Sequence, residues 1–183
     1  MKKIFFLTLF FTIGFTQAQT YVKLNGLSTV VGLPNAGFET SIGKKMTFQL
    51  DAVTSVWKSR NGAPFQLLIV IPEVRYHFNE KYNGFYVGAH VGGGAFRLQK
   101  WNYNNTNKYQ KGYNYYVGAT IGYQWKLSDK WLLDAFVGGG TQQGAYKGYY
   151  IGTDERYETA KNYNKSGEWL PYRGGLMIAY KID

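Results

Sequence analysis

Apolar and polar residues alternate with a period of two along a series of short stretches between residues 21 and 182, and the connections between those stretches alternate as well, tight and then long. A period of two sends successive side chains to opposite faces of a strand, so each stretch has one apolar and one polar face. The clearest is 46–57, where Phe48, Leu50 and Ala52 oppose Gln49, Asp51 and Ser55. Segment 37–42 sets Phe38 and Ile42 against Glu39, and 68–78 sets Leu68, Val70, Val74 and Tyr76 against Glu73, Arg75 and His77. Segment 85–93 sets Phe85, Val87, Ala89 and Val91 against Tyr86, Gly88 and His90. In 115–125, Val117, Ala119, Ile121 and Tyr123 oppose Gly118, Thr120, Gly122 and Gln124. Segment 131–139 sets Leu133, Ala135 and Val137 against Asp134, and 172–182 sets Leu176, Ile178 and Tyr180 against Arg173, Gly175 and Lys181. A strand over 21–27 brings the count to eight.

The tight connections, 43–45, 79–84 and 128–130, have turn composition, whereas 28–35, 58–64, 97–112 and 142–167 are longer, the last two crowded with Tyr, Asn, Gly and Lys. One trimmed end and one elaborated end are the signature of an eight-stranded, antiparallel, up-and-down transmembrane β-barrel, with the tight turns periplasmic and the long loops outside the cell. Alternation alone fits a soluble barrel equally well, with its apolar face turned inward. The aromatic residues favour the membrane. Trp57, Trp125, Trp131 and Trp169 fall at expected strand ends with Tyr76, Phe78, Tyr82, Phe85, Tyr113, Tyr115, Tyr172 and Tyr180, and amphipathic rings gather at headgroup level.

On that reading the polar face points inward. It carries Lys23, Glu39, Asp51, Glu73, Arg75, His90, Asp134 and Arg173, a nearly balanced set. A charge survives in a narrow barrel only when paired and hydrogen-bonded, so the balance predicts a filled polar interior and no conducting pore. Pro72 cannot donate to a ladder and is expected to mark a bulge or bend, with Glu73 and Arg75 on one inward face. Gly92-Gly93-Gly94 and Gly138-Gly139-Gly140 are expected to close strands near the outer rim.

Lys2 and Lys3 precede an apolar run over 4–15, and Thr16-Gln17-Ala18 supplies small residues for cleavage before Gln19. This predicts a signal peptide over 1–18 and a single outer-membrane barrel domain over 19–183 in a Gram-negative cell, since the run is too short to cross a bilayer about 30 Å thick as a helix. The chain has no Cys and so no disulfide framework. Residues 173–180 resemble the terminal signal read by the outer-membrane assembly machinery, although Lys181-Ile182-Asp183 follow in place of a final aromatic. The formal charge of +10 falls to +8 when Lys2 and Lys3 leave. Arg97, Lys100, Lys108 and Lys111, interleaved with Trp101, Tyr103 and Tyr109, are the surface-binding candidates. An exported barrel meets lipopolysaccharide phosphates before any nucleic acid, so outer-membrane lipid, a glycan or a protein is the expected partner. The 142–167 loop instead mixes Lys147, Arg156, Lys161 and Lys165 with Asp154, Glu155 and Glu158, as a solvated surface does.

Several motifs resemble an uncharacterised family of small outer-membrane barrels, a domain of unknown function similar in architecture to the short OmpA/OmpX-like proteins. They are Lys23-Leu24-Asn25, Pro34-Asn35-Ala36-Gly37-Phe38-Glu39, Pro72-Glu73-Val74-Arg75-Tyr76, Asn83-Gly84-Phe85-Tyr86-Val87-Gly88-Ala89-His90, Gly122-Tyr123-Gln124-Trp125 and Trp131-Leu132-Leu133-Asp134, where the resemblance implies glutamate in place of Asp134. The resemblance implies a fold and a location and brings no established activity. A structural or surface-interaction barrel is the leading expectation. The alternatives are an accessory subunit of an outer-membrane complex, with a small-residue stripe such as Gly88, Gly118 and Ala119, and a lipid-modifying barrel enzyme. Acyl transfer would need a nucleophile, a His base and an orienting carboxylate, for which Ser41, Ser55, His77, His90, Asp51 and Glu73 are available but no nucleophile-elbow motif is. No catalytic residue, cofactor or metal site is expected: two scattered His without Cys have no metal-ligand spacing.

Overall fold

The computed structural model describes residues 19–59, 62–157 and 163–183; the expected signal peptide lies outside the described residues. Strands β1 (Thr20–Asn25), β2 (Asn35–Ser41), β3 (Met46–Lys58), β4 (Pro64–His77), β5 (Gly84–Leu98), β6 (Lys108–Lys126), β7 (Trp131–Tyr150) and β8 (Asn164–Lys181) pair in order, each antiparallel to the next, and β8 pairs with β1 to close the barrel. A five-residue helix, α1 (Gly26–Val30), joins β1 to β2, and a 3-10 turn (Trp101–Tyr103) lies between β5 and β6.

The wall is inside out relative to a soluble barrel. Leu24, Val91, Val117, Ile121 and Val137 are 50–58 % exposed, whereas Lys23, Glu39, Arg75 and Asp134 are 0 % exposed. The apolar face therefore points outward and the charged face inward, the choice that alternation left open. Trp125, Trp131 and Trp169 are exposed, as are Tyr113, Tyr115 and Tyr180. Two expected rim aromatics have other places. Tyr82, in the left-handed region at φ 64° in the β4–β5 turn, is buried against Tyr21 with ring centroids 4.7 Å apart, and helps close the turn end with Leu132 and Ala179. Trp57 stays exposed at the end of β3 and donates its indole N–H to the Gly32 carbonyl at 2.7 Å. Tyr172 turns inward.

Tyr172 does so because the bulge falls elsewhere than expected. Through Pro72 the register stays unbroken, Val70 opposing Gly93 and Glu73 opposing His90, and the ladder merely skips Ile71 and Pro72. The irregularity lies at the other strand proline: Gly138 opposes Arg173 while Gly139 opposes Pro171, leaving Tyr172 as the extra residue. An inserted residue reverses the alternation, so Tyr172 and its neighbour Arg173 can both face the interior.

Wall height is uneven. β1 and β2 have 6 and 7 residues, but β6, β7 and β8 have 19, 20 and 18. β1 stops at Asn25 because that side chain accepts from the Ser28 N–H and caps α1, where the alternating pattern had continued the strand to Leu27. At the other side of the barrel, much of what reads as loop is strand. Arg97 belongs to β5, Lys108, Tyr109 and Lys111 to β6, and β7 continues through Tyr150, past the glycines expected to end it. Tyr favours strands, and a ladder beyond the apolar band needs no apolar face, so the backbone pairing continues where the hydrophobic signal fades.

Gly118 faces the interior, and a Cβ there would meet the Gly139 carbonyl at 2.1 Å; at outward-facing Gly93 the nearest atom is 3.7 Å away. Gly118→Val should therefore lower unfolding stability by about 1–3 kcal/mol, read as a lower urea midpoint for the vesicle-refolded protein, while Gly93→Ala leaves it unchanged. Equal midpoints would contradict the assigned faces.

Candidate functional site

Alternation alone delivers the charged residues of β1 to β4, β7 and β8 to one interior layer. Lys23 Nζ donates to Glu39 Oε2 at 2.7 Å, to Gln49 Oε1 at 2.8 Å and to Asp134. Arg75 Nη1 reaches Glu39 at 3.1 Å and Asp134 at 2.8 Å, and Nη2 reaches Glu73 at 3.3 Å. Arg173 joins Glu73 at 2.7 Å and Asp51 at 2.5 Å. Three cations thus hold four carboxylates in a continuous layer that seals the half of the barrel nearer the tight turns. The structure brings together seven of the interior residues named from sequence, and His90 lies one step above them.

Partners that carry no formal charge escaped that prediction. Gln124 Nε2 donates to Glu39 at 2.8 Å, the Tyr86 hydroxyl donates to Asp134 at 2.8 Å, and Thr47 Oγ1 donates to Glu39 at 2.5 Å. The Arg75 guanidinium lies 4.4 Å from the Tyr86 ring centroid. Each could have been found as a polar residue on the face that bears the charges, but charge balance offers no way to count neutral donors. They take up lone pairs of Glu39 and Asp134 that the ion pairs leave over, while Glu73 Oε1, Arg75 Nε and Gln124 Oε1 stay buried without a partner among the described residues.

The residues weighed for acyl transfer are apart. His90 bonds the Tyr172 hydroxyl at 2.6 Å and Thr120 Oγ1 at 3.1 Å, while His77 bonds Thr47 at 3.0 Å and lies 3.6 Å from Glu39. Ser55 Oγ donates to the Phe65 carbonyl and Ser41 Oγ to the Gly43 carbonyl. Among the described residues neither His is hydrogen-bonded to a Ser. Gly88 and Gly118 both face the interior, so of the proposed small-residue stripe only Ala119 remains on the outer wall.

Above the charged layer the interior changes character. The expectation of a barrel filled throughout by polar side chains is corrected here. A cavity of about 490 Å³ is bounded below by Asp51, Arg173 and Tyr172 and at its sides by Val53, Ile69 and Phe136. The inward positions of β4 explain the change: Glu73, Arg75 and His77 near the turn end give way to Leu67, Ile69 and Ile71 toward the loop end.

On the outside, Arg97 opposes Lys111 and Lys111 opposes Lys147, so three strands set three cations in one row. Arg97 also donates to Asp154 Oδ1 and to the Tyr109 hydroxyl, each at 3.1 Å, and the ammonium of Lys147 lies 4.5 Å over the Tyr163 ring. Lys108 sits 4.9 Å over Tyr157 and Lys100 4.3 Å over Tyr146, and the Tyr103 and Tyr157 rings lie 6.1 Å apart. The Trp101 side chain lies outside the described residues, as do Glu158 and Lys161. The loop candidates accordingly divide between a rigid sheet row and the connection above it.

Arg173→Met strips Asp51 of its cation, and removing one partner of a buried pair costs about 3–5 kcal/mol. Asp51→Asn added to that variant should recover most of the loss in a urea titration; a double variant no more stable than the single would locate the damage elsewhere.

A family model described as "Protein of unknown function (DUF3575)" matches residues 3–182. No curated protein matches the chain. Among solved structures, the NMR solution structure of the E. coli outer membrane protein W is similar at 11% identity, covering 90% of this chain and 98% of that one, with a TM-score of 0.47.

Proposed function

The chain belongs to the DUF3575 family of proteins of unknown function, and we propose that it is an exported outer-membrane barrel that presents a basic, aromatic face to the phosphates of outer-leaflet glycolipid. The observation that carries the membrane part is the inverted wall, exposed aliphatics over buried charges. In water such a wall would leave an apolar belt uncovered on every side, far beyond what a soluble monomer exposes. Along β6 the outward positions run from Trp125 through Ile121 and Val117 to Tyr115. Ten steps of about 3.3 Å on a strand tilted about 40° rise about 25 Å, the height of an outer-membrane barrel's apolar band. Aromatic residues stand at both ends of that rise, at the levels where headgroups hold them. With the tight turns periplasmic, the tall strands and the two long connections face outward.

Lys111 stands two positions beyond Tyr113 on the same face of β6, which supports a position for the Arg97, Lys111 and Lys147 row at the phosphates of the outer leaflet. Like charges directly opposite one another in a ladder are destabilising. An anionic glycolipid such as lipopolysaccharide would relieve that repulsion from outside, each cation near such a surface contributing about 1 kcal/mol. The row is rigid because it is built on paired strands, so it can meet phosphates at fixed spacing without ordering a loop. The same surface suits a glycan or an acidic protein segment above the membrane, with Tyr103 as a stacking platform.

The refolded protein should migrate faster unboiled than boiled on a gel and give a β-type circular dichroism spectrum; solubility as a monomer without detergent would defeat the membrane reading. In micelles, bisphosphorylated lipid A should raise the thermal midpoint of the wild type. Lys111→Gln with Lys147→Gln should abolish most of that shift, as should high salt. An equal shift in the double variant, or with dephosphorylated lipid, would remove the basic row from the function.

A further inference from the structure

The cavity above the charged layer continues outward. A second lobe of about 250 Å³ shares Leu67, Ile69, Tyr116 and Gln142 with the first and reaches Lys100 and Glu168 near the loop end. From the structure we infer that this elongated chamber is a binding site for a single-chain amphiphile with an anionic head, of the long-chain alkyl carboxylate class, with its tail seated toward Ile71 and Phe136 and its head at Lys100.

The lining selects the tail. Val53, Leu67, Ile69, Ile71 and Phe136 offer no hydrogen bonds, and Asn25, Asn35 and Arg173 at the edge are already bonded within the protein, so most of the inner lobe's lining favours hydrocarbon over a sugar or peptide. Ligand pockets are typically lined in this way, with a few polar groups that fix orientation. The floor does not supply an anchor for the head. Asp51 and Arg173 are bonded to each other, Arg173 also to Glu73, and the Tyr172 hydroxyl to His90. A charged head pushed down onto that layer would have to break a buried pair. The polar end must therefore lie at the outer lobe.

There Lys100, from the connection after β5, lays its ammonium 4.3 Å over the inward-facing ring of Tyr146. Among the described residues Lys100 makes this contact and no salt bridge, so its charge can meet a carboxylate at the lip of the chamber. Glu168 borders the same lobe and disfavours a head bearing more than one negative charge. Two lobes joined end to end suit an extended chain better than a compact ring system. The chamber lies on the opposite face of the wall from the basic row, and its occupancy is a separate matter from glycolipid binding.

The test uses lauric acid carrying a diazirine near its methyl end, added to the full chain refolded in phospholipid vesicles, with crosslinked residues mapped by mass spectrometry. Neighbouring positions on β4 act as an internal control. Leu68 and Val70 face outward and should be labelled by probe dissolved in the bilayer, while Leu67 and Ile69 line the chamber. The expected result is adducts on Leu67, Ile69 or Phe136 that unlabelled lauric acid competes away, with outward adducts unaffected. Ile69→Trp, which fills the junction of the lobes, should reduce interior labelling about tenfold while the unboiled gel shift is kept. Lys100→Gln should weaken competition by the carboxylate and not by the matching alcohol. Labelling confined to Leu68 and Val70, or interior labelling that competitor leaves unchanged, overturns the proposal. Because outward labelling reports the wall and interior labelling the chamber, failure here is distinguishable from failure of the membrane reading.

Discussion

The mutual neutralisation of charges inside a narrow closed wall is the constraint on which the remaining structure rests. Lys23, Arg75 and Arg173 meet Glu39, Asp51, Glu73 and Asp134 at bonding distance, and none of the seven is accessible to bulk water to any useful extent. Desolvating such groups singly costs several kcal/mol each, which no fold of this size could carry four or seven times over. The network is possible only because eight strands set the interior diameter so that side chains from opposite walls touch. In turn it fixes the register: a slip of one residue in any of the six strands that carry these charges would send them to the apolar outside and aliphatics into the ion layer.

A sealed lower half and an apolar upper half divide the barrel into two regions with different capacities. In the lower half each of the seven charged groups is already ion-paired, and its chemistry is structural. The upper half has no ion-paired layer among the described residues, and its wall is built by strands of unequal length, so that the β1–β2 side is low and joined by α1 while the β6–β7 side rises well past it. That asymmetry follows from local rules. Asn25 and Ser28 stop one strand by capping a helix, whereas the Tyr-rich runs after Gly112 and Gly144 continue their ladders.

The outer surface repeats the separation of roles. Aliphatic positions between two aromatic levels suit hydrocarbon, and the first cations appear where headgroup phosphates would lie. Placing Arg97, Lys111 and Lys147 side by side works against the sheet, and local costs of this kind concentrate where a surface has work beyond folding.

The amino-acid sequence by itself determined the strand count, the order of tight and long connections and the membership of the two faces, because a period of two is a local property of the chain. It also identified Lys23, Glu39, Asp51, Glu73, Arg75, Asp134 and Arg173 as an inward set. Only the tertiary structure decided which cation met which carboxylate, and that neutral Gln49, Gln124, Thr47 and Tyr86 join the layer, since pairing across a barrel joins residues far apart in the chain. The bulge at Tyr172 in place of Pro72 was equally illegible: a missing N–H matters only where a neighbouring strand needs it. The chamber came from the change along β4 from Arg75 to Ile69, which is visible in the sequence but becomes a cavity only when the opposite wall fails to fill it.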